Sequence, residues 1–315
     1  MADTLLTVAD VLFNAFDVSD ADVSDLRQDA VLVPRMPAEP SSNGTVHKYV
    51  KRVTAPTVGW RSVNAGRFMS KSGDQTVTAN LTCLDFSWDV DAALIDGAAR
   101  RGGPEAIIAR EGLAHVGAAL FAYETQLING TINGDAAGFS GFANALSALT
   151  NKMVVDAGGD AGGVGGNTSG NTSLYAIRLG RNDCTAVFNG DQTIELSPSV
   201  MTKNLDGSSK SYGAWFTEGH AWLGLQVGGA YSIGRIANID EDHPLTDDLV
   251  ATLLSRFPAG RRPNLLVCNP AGQELLRQSR TATNPTGTPA PLPEDVFGIP
   301  LAITDAVLNT EGVIS

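Results

Sequence analysis

The stretch EAIIAREGLAHVGAALFAYETQLINGTINGDAAGFSGF, residues 105–142, decides how this chain is read. Its first part has a helical pattern. Leu113, Val116, Leu120, Tyr123 and Leu127 recur at three- and four-residue steps and share one face. Glu105, Arg110, Glu111 and Glu124 fall largely elsewhere. Pro104 suits the first turn, where a missing N–H costs nothing. Glu105 suits the positive end of the helix dipole. Asn129-Gly130 tolerates left-handed backbone and predicts the stop. The result is a helix of about seven turns, against about three for an average globular helix. Gly112 and Gly117 inside it weaken it by about 1 kcal/mol each, which predicts another backbone packed close against both.

The bulk of the chain is globular: 315 residues, 43% hydrophobic, with a mean hydropathy near zero. That is enough for one large domain or two ordinary ones. Its 22 basic and 34 acidic side chains leave a net charge of -12, which argues against tight generic binding to nucleic acid. Cys83, Cys184 and Cys268 have no paired spacing, so neither a disulfide framework nor a zinc site is expected, and a reducing cytosol fits. The opening MADTLLTVADVLF lacks the basic residues of a secretory signal, and no run of eighteen apolar residues exists. Cytoplasmic synthesis is expected, so the Asn-x-Ser/Thr matches at Asn43, Asn80, Asn129, Asn167 and Asn171 are coincidences.

Upstream of the helix, residues 1–44 start with a short helical pattern, Leu5 to Phe16, and end in VPRMPAEPSSNG. Pro34, Pro37 and Pro40 favour an extended arm lying across another surface. Residues 45–82 predict a long two-stranded hairpin, TVHKYVKRVT against QTVTANLTCL, joined by APTVGWRSVNAGRFMSKSGD. From Pro40 to Gly73 there is no acidic residue, but there are Lys48, Lys51, Arg52, Arg61, Arg67 and Lys71. A two-stranded ribbon is marginal alone. A basic one on an acidic chain should lie on an acidic copy of itself, with nucleic acid the weaker alternative.

Downstream, residues 156–173 (DAGGDAGGVGGNTSGNTS) read as a flexible loop, because no Gly-Lys-Ser/Thr or strand-to-helix context supports a phosphate site. Residues 174–240 read as strands in a meander or small mixed sheet. A helix is predicted at 245–257, capped by Thr246 and ended by Pro258. LLVCN follows as a buried strand, then a helix capped by Asn269 with Pro270 at its first position, then the extended run FGIPLAITDAVL. The order is α+β rather than a regular alternation.

No catalytic constellation is legible. His47, His115, His220 and His243 have no metal-ligand spacing, and His115 reads as a packed or interface histidine. No Gly-x-Ser-x-Gly elbow or protease cysteine signature is present. Asp240, Glu241 and Asp242 read as a solvated turn. No catalytic, cofactor-binding or metal-binding residue, and no cofactor, is expected.

An ordered set of landmarks resembles the major capsid proteins of tailed bacteriophages with the Hong Kong 97-like fold. TVHKYVKRVTAPTVGWRSVNAGRFMSKSGDQTVTANL resembles the extended E-loop. The helix 105–128 resembles the spine helix of the P-domain, and QLINGTINGDAAGFSGF the turn leaving it. YAIRLGRNDCTAVFNG, YSIGRIANID, the helix at 245–257, VCNPAGQELLRQ and GIPLAITDAVLNTE resemble later landmarks of one branch. The strand block precedes the two A-domain-like helices, so the strand order of the type member is not carried over. No long scaffolding segment precedes the arm, which implies a separate scaffolding protein or none. Lys71 sits near the presumed loop tip, where a few relatives form a Lys–Asn cross-link. With no partner Asn or catalytic Glu identified, Lys71 is read as an ion-pairing residue.

The resemblance implies an α+β Hong Kong 97-like capsid fold in four parts: an N-terminal arm (1–44), an E-loop hairpin (45–82), a P-domain with its spine helix (83–140, its sheet completed by strands within 212–240) and a mainly A-domain remainder (141–315). Gly112 and Gly117 become close-approach points on that spine. The implied function is a non-enzymatic shell protein. It self-assembles as pentamers and hexamers into the icosahedral head enclosing double-stranded DNA, without sequence-specific binding to DNA and without a membrane. The implied partners are further copies of the chain and portal, scaffolding and decoration proteins. The implied location is the virion, after assembly in the host bacterial cytoplasm. The expected inter-subunit contacts are Lys48, Lys51, Arg52, Trp60, Arg61, Arg67, Phe68 and Lys71, with Val46, Val50 and Val77 beside them. An encapsulin-type cellular compartment is the alternative on the same fold, and an unrecognised hydrolase the alternative of another class.

Overall fold

The structure, a computed structural model, describes residues 29–67, 69–97, 103–190, 195–205, 209–285 and 288–315. The helical pattern at Leu5–Phe16 lies outside the described residues. The strands are β1 (Ala38–Pro40), β2 (Val46–Thr54), β3 (Gly73–Asn80), β4 (Thr82–Asp85) and β5 (Trp88–Asp91). Helices α1 (Ala92–Gly97), α2 (Gly103–Asn133) and α3 (Phe142–Ala145) follow. Then come β6 (Val154–Asp156), β7 (Thr172–Ile177), β8 (Cys184–Phe188), β9 (Glu195–Leu196), β10 (Val200–Leu205), β11 (Ser211–Thr217), β12 (Gly219–Val227) and β13 (Ile233–Ile239). The chain continues with α4 (Asp247–Ser255), β14 (Leu265–Cys268), α5 (Pro270–Ala282), β15 (Asp295–Val296) and β16 (Ile299–Ile303).

The described strands form four sheets. The largest has the order β15-β16-β14-β7-β13-β6 and mixed pairing. Strands β7, β13 and β14 are buried along their whole length, because helices and loops cover both faces. Strands β1-β8-β12-β4 form a second sheet with β9 on β12, β10-β11-β5 a third, and β2-β3 a lone hairpin. The predicted caps are in place: Thr246 Oγ1 accepts from the Leu249 amide at 3.2 Å, and Asn269 Oδ1 accepts from the Gly272 amide at 2.7 Å. Pro270 opens α5.

The single meander or small mixed sheet expected across 174–240 is not what forms. Its strands are divided among three sheets, since the turns between them reverse direction only locally and the partners come from β1, β4, β5 and β14. Strand β10, VMTKNL, was not foreseen; its run of three polar residues, Thr202 to Asn204, breaks the strand alternation and hides it until β11 pairs with it.

The long helix forms as expected and is broken at Gly130, whose φ of 59° leaves the helical region. A Cβ there would lie 1.8 Å from Asn144 Oδ1, so the position takes only glycine. Three readings of its faces are corrected. Leu113 is 78% exposed, because the face packed on Trp88 and Val90 at that end carries Ile107, Ile108, Gly112 and His115 instead, while Leu127 and Ile128 are fully buried. Gly112 meets a side chain, the Trp88 ring, at 3.4 Å, and nothing lies within 4 Å of a Cβ built on Gly117, so neither glycine admits a close backbone. His115 stacks on the same Trp88 ring, with centroids 5.0 Å apart. Glu124, read as lying on the polar side, is fully buried. Leu127→Asp will therefore leave the chain insoluble, since an unpaired buried carboxylate is severely destabilising. Leu113→Asp will express and melt like the wild type, as thermal unfolding by circular dichroism will show.

Residues 29–44 lie across another surface, and that surface belongs to the same chain. Leu32 is fully buried, Pro34 sits in a 3-10 turn at Val33–Arg35, and β1 pairs in parallel with β8. Proline fits both places, since the first turn of a helix and an edge strand need no N–H there. The glycine segment 156–173 is likewise pinned rather than free. Asp240 is fully buried beneath it, not solvated, and its Oδ2 accepts from the Asp160 and Gly162 amides at 3.1 and 3.3 Å. Its Oδ1 accepts from the His243 amide at 2.6 Å. Glu241 and Asp242 are exposed. Burial alone would raise the Asp240 pKa, but the bonds from His243, Gly162 and Asp160 bring it below the ordinary value. A carboxylate with a depressed pKa stabilises the fold above its unfolded value, about 3.9, and that contribution is lost as pH falls through the folded value. The protection of the Asp160 and Gly162 amides against hydrogen exchange, relative to free amides at the same pH, will fall below about pH 4, and Asp240→Asn will lower it at neutral pH.

Candidate self-association surface

The hairpin β2–β3 stands apart from the sheets in how little of it is buried. Its nine-residue first strand spans about 30 Å at about 3.4 Å per residue. The ladder pairs Val46 with Asn80 at the base and Thr54 with Gly73 at the far end, with an irregularity after Arg52. Alternation puts His47, Tyr49 and Lys51 on one face and Lys48, Val50 and Arg52 on the other.

The base is fixed by the first of these faces. Gln226 Nε2 donates to the Arg181 carbonyl at 2.9 Å, so its Oε1 faces His47 as an acceptor. His47 Nε2, 2.7 Å away, therefore carries the proton and donates. The Tyr49 hydroxyl donates to the Val227 carbonyl at 2.8 Å, and burial raises its pKa, more than the bond to Val227 lowers it, which keeps the donor protonated. His47, Tyr49 and Gln226 were not singled out from the sequence; the alternation of His47 and Tyr49 along β2 was the available signal.

Beyond that base the hairpin loses contact with the body. Residues 52–67 are all exposed, and Trp60 is wholly so. The tip is shaped by its own bonds: Arg61 donates to the Ala65 carbonyl at 2.9 Å, and Ser70 Oγ to the Thr57 carbonyl at 2.7 Å. Val50, Val53, Val58, Val63 and Met69 join Trp60 as exposed apolar groups, and Val46 and Val77 are half-buried at the base. Burying one such large side chain fully is worth about 1.5–3 kcal/mol, so the tip presents unspent hydrophobic surface.

The predicted contact residues fall in three places. Lys48 and Arg52 share the outward face with Val50, Lys51 lies on the opposite face, and Trp60, Arg61, Arg67 and Lys71 occupy the tip. Phe68 lies outside the described residues. Among the described residues Lys48, Lys51, Arg67 and Lys71 form no ion pair, whereas Arg52 faces Asp74 across the ladder at 3.5 Å. Asp74 lies one residue past the acid-free stretch and was missed for that reason. Exposed carboxylates such as Glu105, Glu218, Glu241, Asp242, Glu294 and Asp305 are spread over the rest of the chain. Among the described residues no group of His, Cys, Asp and Glu is arranged to hold a metal ion, and no helix is long and apolar enough to cross a membrane.

An α+β body with a long helix and an outreaching hairpin is the architecture of a phage shell subunit. The same fold is found in a chain of the near-atomic structure of bacteriophage Epsilon15, which aligns over 100% of this chain and 98% of its own with a TM-score of 0.67 at 20% identity. Weaker likenesses reach the bacteriophage JBD30 capsid (TM-score 0.47, 13% identity, 86% of this chain and 89% of that one) and the capsid of a native GTA particle (TM-score 0.48, 12% identity, 70% and 93%). No curated protein sequence matches the chain. Residues 21–315 match the family model of the major capsid protein GP7, and the chain belongs to that family. It is accordingly a self-associating structural component of the phage virion, not an enzyme, and the compartment and hydrolase alternatives give way.

Proposed function

We propose that the chain assembles as pentamers and hexamers, through head-to-tail contacts between identical copies, into an icosahedral head that encloses double-stranded DNA. The hairpin is the element that reaches the neighbouring copy. The observation that carries this is the tip itself: Trp60, Val58, Val63 and Met69 are exposed on a ribbon that, among the described residues, is anchored to the body at its base. Lys48, Lys51, Arg61, Arg67 and Lys71 add orientation, since opposite charges across an interface set register and encounter more than affinity. The parts named from the resemblance fit this picture as arm (1–44), E-loop (45–82), P-domain (83–140, completed by the pairing of β5 with β11) and A-domain (141–315). Assembly takes place in the host cytoplasm with portal, scaffolding and decoration proteins, and the DNA is held without sequence-specific contacts.

Electron microscopy of the purified protein, with and without a scaffolding partner, is the test. Closed shells tens of nanometres across are expected, with DNA inside native particles. A monomer under every assembly condition would overturn the reading, and native shells filled with protein instead of DNA would overturn the genome-container part of it. Raising salt from 0.1 to 1 M shortens the screening length from about 10 to about 3 Å. Shell dissociation, followed by light scattering, will therefore become easier if the exposed lysines and arginines pair across subunits, and shells indifferent to salt would exclude that pairing.

A further inference from the structure

Residues 309–315 run over the surface with two exceptions, the buried Glu311 and Ile314, which is half-buried against the core. Glu311 is 2% exposed, while Thr310, Gly312, Val313 and Ser315 are open to solvent. The Glu311 carboxylate enters a polar cleft in the largest sheet. Arg235, itself 2% exposed, donates to Glu311 Oε2 at 2.8 Å, Ser173 Oγ donates to the same oxygen, and the Tyr175 hydroxyl lies 3.5 Å from Oε1. Arg235 is held in place independently: its Nε donates to Ser173 Oγ at 3.0 Å, its Nη1 to the Leu146 carbonyl at 3.0 Å, and its guanidinium covers the Tyr175 ring at 5.4 Å. The backbone of Glu311 exchanges two 2.9 Å hydrogen bonds with Asn171. Three residues on, the Asn238 side chain donates to the Ile314 carbonyl at 2.9 Å and accepts its N–H at 2.8 Å. Gly170, at φ 113°, lets Thr310 pass: a Cβ there would lie 2.7 Å from Thr310 Cα.

We propose that residues 309–315 form a releasable strap, and that the cleft of Asn171, Ser173, Tyr175, Arg235 and Asn238 beneath it is a recognition site for an extended peptide bearing a carboxylate side chain. The receptor half is built without the strap, because Leu146, Ser173 and Tyr175 hold Arg235 whether or not Glu311 is present. The strap half contributes the buried Glu311 side chain, the half-buried Ile314 side chain against the core, and otherwise backbone, which is how an extended segment docks by main-chain pairing plus side-chain pockets. A cation left buried without its partner is strongly unfavourable, so the empty cleft favours recapture of a carboxylate.

The test uses the full chain with Glu311→Gln and two labelled peptides covering residues 305–315, one with Glu and one with Gln at position 311. Peptide is supplied at about 1 mM, matching the effective concentration of a tethered segment. Amide exchange at Asn171, Glu311 and Ile314 is expected to accelerate at least about tenfold, since 1.4 kcal/mol of lost clamping gives that factor. Ile236 and Val267 are expected to stay unchanged. The variant is expected to capture the Glu peptide, and the Gln peptide at least about tenfold more weakly. Unchanged exchange, exchange rising together across the sheet, no capture, or equal capture of both peptides would each overturn the proposal. Should Glu311→Gln not fold, Ile314→Pro loosens the strap by removing its N–H bond to Asn238 and its side chain from the core, and exchange at Asn171 and Glu311 decides together with the same capture outcomes.

Discussion

Replacing residues 55–72 with a two-glycine turn will abolish closed shells and leave the melting temperature of the subunit within about 2 °C of the wild type. Among the described residues the deleted tip packs on nothing but itself, and surface changes away from packed features stay within about 0.5 kcal/mol. For a chain above 150 residues that is about 1–2 °C. The anchors survive the deletion: His47 on Gln226, Tyr49 on the Val227 carbonyl, and buried Leu81, whose amide bonds the Thr45 carbonyl. Assembly is another matter. Trp60, Val58, Val63 and Met69 together offer several times the 1.5–3 kcal/mol of one buried side chain. Losing even about 3 kcal/mol at each contact lowers its association constant about 150-fold. Electron microscopy and calorimetry on the same preparation will separate the two effects. Normal shells from the shortened chain would show that the hairpin is not the reaching element.

The second large effect concerns a residue inside the subunit. Glu124 Oε2 accepts the Leu32 amide at 2.6 Å and the Val33 amide at 3.1 Å, and Oε1 accepts the Thr304 hydroxyl. One buried carboxylate thus ties the long helix to the start of the described chain and to the end of the last strand. Glu124→Ala strands three buried donors, each worth about 1–3 kcal/mol when unsatisfied, and will lower the melting temperature by at least about 6 °C. Glu124→Gln will cost little. Its oxygen can take the two amides, and its NH2 group can donate to Thr304 Oγ1, which already accepts the Ala306 amide. Equal loss from Ala and Gln would mean that the negative charge, not the acceptor geometry, holds the junction.

Much of the fold is legible from local chemistry. Thr246 and Asn269 cap their helices because a side-chain oxygen two or three residues ahead of a free amide has few other uses. The hairpin shows in its β-rich flanks and in a basic run with no acid to neutralise it. What failed were statements about which side of an element meets which neighbour. Leu113 fits the apolar spacing of α2 but points away from the face that packs on Trp88, while Glu124, off that spacing, is fully buried. Asp240 sits among acids that look solvated, yet the glycine segment 80 residues earlier folds over it.

The contact surface divides in the same way. Lys48, Arg52 and Trp60 could be named from composition, because unpaired charge and unburied aromatics need a partner. That Arg52 faces Asp74, and that His47 and Tyr49 anchor the base, required the register of β2 on β3 and the approach of β12.

The sequence by itself determined the helices and their caps, the outreaching hairpin, the absence of a legible catalytic pattern and the shell-protein resemblance. Each of these rests on interactions within a few residues, or on composition that no fold can change. The tertiary structure alone decided how the strands divide among sheets, which carboxylates are buried, and that the segment around Glu311 seats on Arg235. Those outcomes depend on donors supplied from 76 to 180 residues away, whose arrival no local pattern encodes.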